Sequence, residues 1–247
     1  MSIRLLSLVL LVLALAGVYA PARAQPLVFD LSTHLIEITT GFSGADMLLF
    51  GATEGEGDVV VVLRGPDQET TVRRKSRVGG IWINTDEMVF TGVPAFYRVA
   101  SSRPLTEISP AIRARHQLGT DYLRLAALPN ADASEVAEFR AGLLRNKERR
   151  SLYASREGEV SFLGPRLFRT HVLLPANVPP GSYTAEVLLI RNNQVVAAQT
   201  TPMFVSKIGV GADVYEFAHR DAAIYGILTI FVAVLAGWGA GVIFRKA

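Results

Sequence analysis

Two runs of cations are the residues whose type and spacing most readily suggest chemistry. Arg73-Arg74-Lys75-Ser76-Arg77 and Arg145 to Arg150 (RNKERR) each crowd several positive charges into one short segment. Such a cluster can hold an anion or a lipid headgroup through charge-assisted hydrogen bonds, and Arg73, Arg74, Lys75 and Arg77 are the candidate contacts. The same residues also suit an exposed strand edge or helix face, where Lys and Arg block stray pairing.

Other chemistry finds less material. His34, His116, His171 and His219 are scattered, with no HExxH and no pair at ligand spacing, so no metal site is expected. Glu54-Gly55-Glu56-Gly57-Asp58 is acidic and glycine-rich, but it does not match an EF-hand loop and reads as a polar hairpin tip. Nucleophile-elbow, phosphate-loop and dinucleotide patterns are missing, and Gly79-Gly80 lacks the strand-to-helix setting that would give it such a role. The chain has no cysteine, which excludes thiol nucleophiles, Cys-ligated zinc and redox pairs. The expectation is a non-enzymatic protein with no catalytic residues and no cofactor.

The elements that must position these cations hang from the end of the chain. Ala222 to Phe244 is 23 residues without a charged side chain. As a helix it extends about 34 Å, enough to span a hydrocarbon core of about 30 Å. Arg245 and Lys246 come after it, whereas Asp213, Glu216 and Asp221 outweigh Arg220 before it. The positive-inside rule then predicts a cytoplasmic C-terminus (245–247) and a domain in the periplasm of a bacterial inner membrane. Residues 1–24 carry Arg4, an apolar run from Leu5 to Val18, and Ala22 and Ala24 around Arg23, the pattern of a signal peptide cut before Gln25. The other reading of that stretch is an uncleaved second span, for which a run of about 14 residues is short.

Net charge is +3, but the basic excess sits at the chain's ends. Setting aside Arg4, Arg23, Arg245 and Lys246 leaves 21 basic against 22 acidic residues, so no footprint for nucleic acid remains.

Between signal and anchor the text is mainly β. Strands recur across 25–103: His34 to Thr40 alternates, while Met47 to Phe50 and Val59 to Leu63 are continuous apolar runs suited to strands covered on both faces. Trp82, between Ile81 and Ile83, is expected in the core or between sheets. Residues 104–158 read as a helical insertion. A first short helix starts at Ser109-Pro110, and a second starts at the capping box Asp132 to Glu135, with Val136, Phe139 and Leu143 on one face. The latter's polar second half is expected to project into solvent. Strands resume over 159–206, where Asn192-Asn193 makes a tight hairpin and Pro179 to Tyr183 forms a corner like the ending of immunoglobulin-type sandwiches. The fold expected is an immunoglobulin-like β-sandwich, one or two, with a helical insertion and one C-terminal transmembrane helix. Residues 207–221 are a linker and juxtamembrane helix, in which Asp213 to Glu216 forms a second capping box.

Along the anchor, Thr229, Ala233, Gly237 and Gly241 fall at steps of four. Such a small-residue stripe either packs on another helix, self-association included, or reflects the glycine content of membrane helices. Tyr215, Phe217 and Tyr225 at one end, and Trp238 and Phe244 at the other, suit an aromatic belt.

GGIWIN at 79 to 84, PAFYRVASSRPL at 94 to 105, PPGSYTAEVLLIRNNQV at 179 to 195 and VYEFAHRDAAIYGILTIFVAVLAGWGAGVIFRK at 214 to 246 carry a resemblance. The layout resembles an alphaproteobacterial family of single-anchor transmembrane proteins without an assigned activity. The resemblance implies an accessory to a membrane transporter, since members lie near genes for sulfite- or taurine-type anion exporters. It carries over no catalytic residue. Two functions are therefore expected: an interaction or accessory module of an inner-membrane complex, with a membrane-protein partner, or a periplasmic ligand-binding or sensor domain.

Overall fold

The structure, a computed structural model, describes residues 26–127, 132–154, 156–209, 214 and 217–244. The expected signal peptide, the tail 245–247 and most of the second capping box lie outside the described residues.

Two sheets share one core. In the first, β1 (Leu27–Leu31), β3 (Gly44–Thr53), β11 (Leu167–Pro175) and β10 (Ser161–Phe162) lie in the order β1-β3-β11-β10, all antiparallel. In β11, Phe168, Thr170, Val172 and Leu174 are buried while Leu167, Arg169, His171 and Leu173 face out, the period-two signature of a sheet covered on one side. The second sheet runs β2 (Leu35–Ile38), β13 (Gln194–Lys207), β12 (Gly181–Arg191), β4 (Asp58–Arg64), β7 (Tyr97–Ser101), β9 (Gly158–Glu159). Its two outer strands pair in parallel and the inner ones antiparallel. The apolar run of β4 explains its central place: Val59 to Leu63 are all buried, as residues covered on both faces must be. Leu27, Phe29, Met47, Leu49, Phe168 and Val172 of the first sheet join Val61, Leu63, Val187 and Met203 of the second in one hydrophobic cluster.

Glu54 to Asp58 is not a hairpin tip. The strands it joins belong to different sheets, and Arg191 of β12 donates to the carbonyls of Glu54 and Glu56, fixing the crossing. Asn192 and Asn193 do form the tight hairpin between β12 and β13, with φ of 47° and 60°. Tyr183 ends the Pro/Gly corner fully buried, its hydroxyl donating to the Pro179 carbonyl at 2.6 Å.

A smaller unit stands beside this core. The strands β5 (Asp67–Val78) and β6 (Ile81–Pro94) form a long antiparallel hairpin, joined at its base by β8 (Ala126–Ala127). The helical segment contributes α1 (Pro110–His116), capped by the Ser109 hydroxyl, and α2 (Ala133–Arg149), capped by Asp132. Phe139 and Leu143 of α2 pack against Val72, Met88, Phe90 and Val93 of the hairpin, a second core separate from the first. Arg140 ties α2 to the preceding loop by donating to the carbonyls of Thr120, Asp121 and Leu123 at 3.0 to 3.1 Å. The last element is α3 (Ala222–Phe244), with none of its apolar window buried.

Candidate functional site

The most distinctive surface is the free end of the β5–β6 hairpin. Gly79 and Gly80 close it with φ of 59° and 90°, the doubly left-handed turn that matches strand twist and that glycine adopts without strain. The small core under α2 ends at Val72 and Met88, so the hairpin beyond Arg74 stands out on its own. Lys75 to Val78 of β5, four residues at about 3.3 Å each, make an arm of about 13 Å.

The arm's tip is apolar. Ile81 is 66% exposed and Trp82 67%, with Val78 and Ile83 also open to solvent. Trp82 is therefore not the core or inter-sheet aromatic its isoleucine neighbours suggested. No third strand or helix backs this part of the hairpin among the described residues, so both faces lie open. The register puts Val78 and Ile81 opposite each other on one face, with Ser76 and Ile83 behind them, and Arg77 opposite Trp82 on the other.

The four expected anion contacts are spread along this arm. Arg73 pairs with Glu87 at 3.1 Å. Arg74 lies 4.7 Å over the Phe139 ring and meets Glu138 at 2.9 Å and Asp86 at 3.8 Å. Both charges are balanced by carboxylates; Arg73 pairs across the hairpin, and Arg74 braces the arm against α2. Among the described residues Arg77 donates only to the Gly80 carbonyl, at 3.3 Å, beside the apolar tip. Lys75, at the root of the arm, lines a cleft between β5 and α2.

That cleft, about 700 Å³, is walled by Lys75, Lys147, Arg149, Arg150, Thr70 and Asn146, among others, and none of its lining side chains is acidic. The polar end of α2 was expected in solvent, yet Lys147 is only 6% exposed. Phe139, Leu143 and Lys147 fall at steps of four, so the buried stripe runs on through the lysine. Its ammonium lies 5.7 Å over the Tyr153 ring. Burial, and then the neighbouring Arg150, push its pKa down to about 8. The i, i+4 spacing from Leu143 was the signal that could have found it; charge content pointed the other way.

A second polar cluster lies where α1 meets the larger sheet. Glu186 accepts from His116 Nδ1 at 3.0 Å and faces Arg64 at 3.8 Å, and Arg64 reaches the His116 carbonyl. Tyr97 donates to the Gln117 carbonyl at 2.8 Å and accepts from the Gly119 amide at 2.7 Å; burial raises its phenol to about 12. Every polar partner here is a neighbour in the fold, which describes a clamp holding α1 down. His34 and His171 face Asp30 and Asp46 separately, and among the described residues no three potential ligands gather as a metal centre would need.

On α3 the small-residue stripe stands in the open. A methyl at Gly237 or Gly241 would touch nothing else in the described chain, and the Thr229 hydroxyl is spent on the Tyr225 and Gly226 carbonyls of its own helix. One described helix, Ala222–Val242, is long and apolar enough to cross a membrane.

A search of curated proteins returns no match. Residues 26–246 match the family described as "Putative transmembrane protein (Alph_Pro_TM)", a stretch that takes in both sheets, the hairpin arm and the apolar helix, and the chain belongs to that alphaproteobacterial transmembrane family.

Proposed function

We propose that the protein is a non-enzymatic, single-pass module of the bacterial inner membrane. Its β-domain lies in the periplasm and meets the bilayer twice, through α3 and through the tip of the β5–β6 arm, to serve an inner-membrane complex. The hairpin tip is the observation that carries this reading. Exposed Trp82, Ile81, Ile83 and Val78 beside Arg77 are an interfacial composition: amphipathic and aliphatic side chains for the headgroup boundary, and a cation for anionic lipid. Each such cation near an anionic surface adds about 1 kcal/mol.

Tethering makes a weak contact sufficient. Between Lys207 and Ala222 the chain can reach at most about 50 Å, which keeps the domain near the membrane and makes the second contact effectively intramolecular. The cations after α3 and the signal-like start support the periplasmic orientation. The facing sheets and the Tyr183–Pro179 corner support an immunoglobulin-like topology, a scaffold that carries no activity by itself. The stripe of Thr229, Ala233, Gly237 and Gly241 supports packing of α3 on another copy or on a partner's helix.

Tryptophan emission tests the bilayer contact, because the chain has only Trp82 and Trp238. In a Trp238→Phe variant of the full chain, reconstituted in nanodiscs with phosphatidylglycerol, Trp82 emission should shift to the blue and be quenched by brominated acyl chains. Added salt should weaken both effects. Emission that stays at the position of a water-exposed indole in every lipid mixture refutes the contact.

A further inference from the structure

We propose that the cleft between β5 and α2 binds a ligand carrying a tetrahedral oxyanion, held by Lys147 with Lys75, Arg149 and Arg150. The site stands beside the bilayer contact and does not depend on it. A lysine buried to this degree ordinarily meets a carboxylate, since desolvation opposes burying a bare ammonium. Lys147 has none: none of the described carboxylates forms an ion pair with it, and a tyrosine ring lies under its Nζ. The Thr70 hydroxyl, which lines the same cleft, is buried without a hydrogen-bond partner. Four cations surround this space with no acid among the lining residues.

An oxyanion answers these features together. It balances the ammonium and guanidinium charges and offers acceptor oxygens to Lys147, to the arginine forks and to the Thr70 hydroxyl. The volume exceeds that of a bare inorganic anion and suits a small organic phosphate or sulfonate, or a phospholipid headgroup. Protonation links to binding. The charged and titratable groups facing Lys147 are Arg150 on its own helix, Lys75 on β5 and the Tyr153 phenol, which burial holds above its ordinary value. None of these supplies a negative charge near neutral pH, so the arriving anion must itself favour the ammonium.

The test uses the full chain in nanodiscs, with its lysines reductively methylated with carbon-13. The chain has four lysines, at 75, 147, 207 and 246, and a Lys147→Met sample assigns the resonance in question. The readout is the pH midpoint of Lys147. Sulfate, exchanged for chloride at constant ionic strength in phosphatidylcholine discs, probes the soluble source because its charge does not change over this pH range. Phosphatidylglycerol discs without sulfate probe the headgroup source. A midpoint raised by about one pH unit, or a tenfold gain in proton affinity, with sulfate assigns a soluble oxyanion. The same rise with phosphatidylglycerol alone assigns a headgroup. Arg149→Gln with Arg150→Gln, both on the exposed rim, should weaken the effective ligand about tenfold. A midpoint unmoved by both probes, or moved equally in the double variant, overturns the site.

Discussion

Replacing Lys147 with Met should make the fold more stable near neutral pH, although it deletes a charge from the polar end of α2. The pKa of Lys147 falls from 10.5 to about 8 on folding, chiefly through burial. That difference is equivalent to about 3 kcal/mol in favour of the unfolded chain, and water reaching the ammonium from the cleft scales it to about 2 kcal/mol. Methionine matches the lysine stem in length and loses only the contact with the Tyr153 ring, about 0.5–1 kcal/mol. The net gain is about 1 kcal/mol, or about 2–4 °C in melting temperature for a chain of this size. The sign with pH depends on which state holds more protons. Below about pH 8 both states carry the lysine proton and the full penalty is present; between about 8 and 10.5 the unfolded chain alone retains it, so wild-type stability rises with pH. The advantage of Lys147→Met should therefore shrink toward zero across that window. Thermal melts of both full-length proteins in one neutral detergent, at a series of pH values, measure it. A variant less stable than wild type near pH 7, or a difference flat from about pH 7 to 10.5, refutes the unpaired, desolvated ammonium on which the magnitude rests.

Trp82→Ala should change stability by less than about 0.5 kcal/mol, whereas a core tryptophan would cost about 3–5 kcal/mol; parallel melts distinguish the two, and the same variant should lose affinity for anionic vesicles. Tyr183→Phe removes the bond to the Pro179 carbonyl and should destabilise by about 1 kcal/mol in denaturant titration while leaving the slope unchanged. Phe139→Ala empties the centre of the small core and removes the ring under Arg74; protection of the β5–β6 amides in hydrogen exchange should fall well before that of β4 and β12. Leucine at both Gly237 and Gly241 should diminish crosslinked species formed by the chain in native membranes, and unchanged species would remove packing along that stripe.

Chain-local physics is the part of this protein that the sequence determined by itself. Twenty-three residues without charge in α3, the alternation of β11, the five buried positions of β4 and the paired asparagines before β13 each specify an element through its own length, period or turn chemistry. The cap at Asp132 and the start of α1 were legible for the same reason.

Which elements face one another was settled only by the tertiary structure, because pairing between strands distant in the chain leaves no local trace. Glu54 to Asp58 looks like a hairpin tip until β3 and β4 are found in different sheets. Trp82 looks like core until the hairpin outruns the helix that covers its base, and Lys147 looks like a solvated cation until the stripe of Phe139 and Leu143 carries it inward. Both residues gain their character from what does, or does not, pack against them, and burial is a property of three-dimensional neighbours that residue type only biases. The basic cleft is the clearest case: Lys75 lies in the first cationic run and Lys147, Arg149 and Arg150 in the second, and only the packing of α2 on β5 makes one electrostatic site of them.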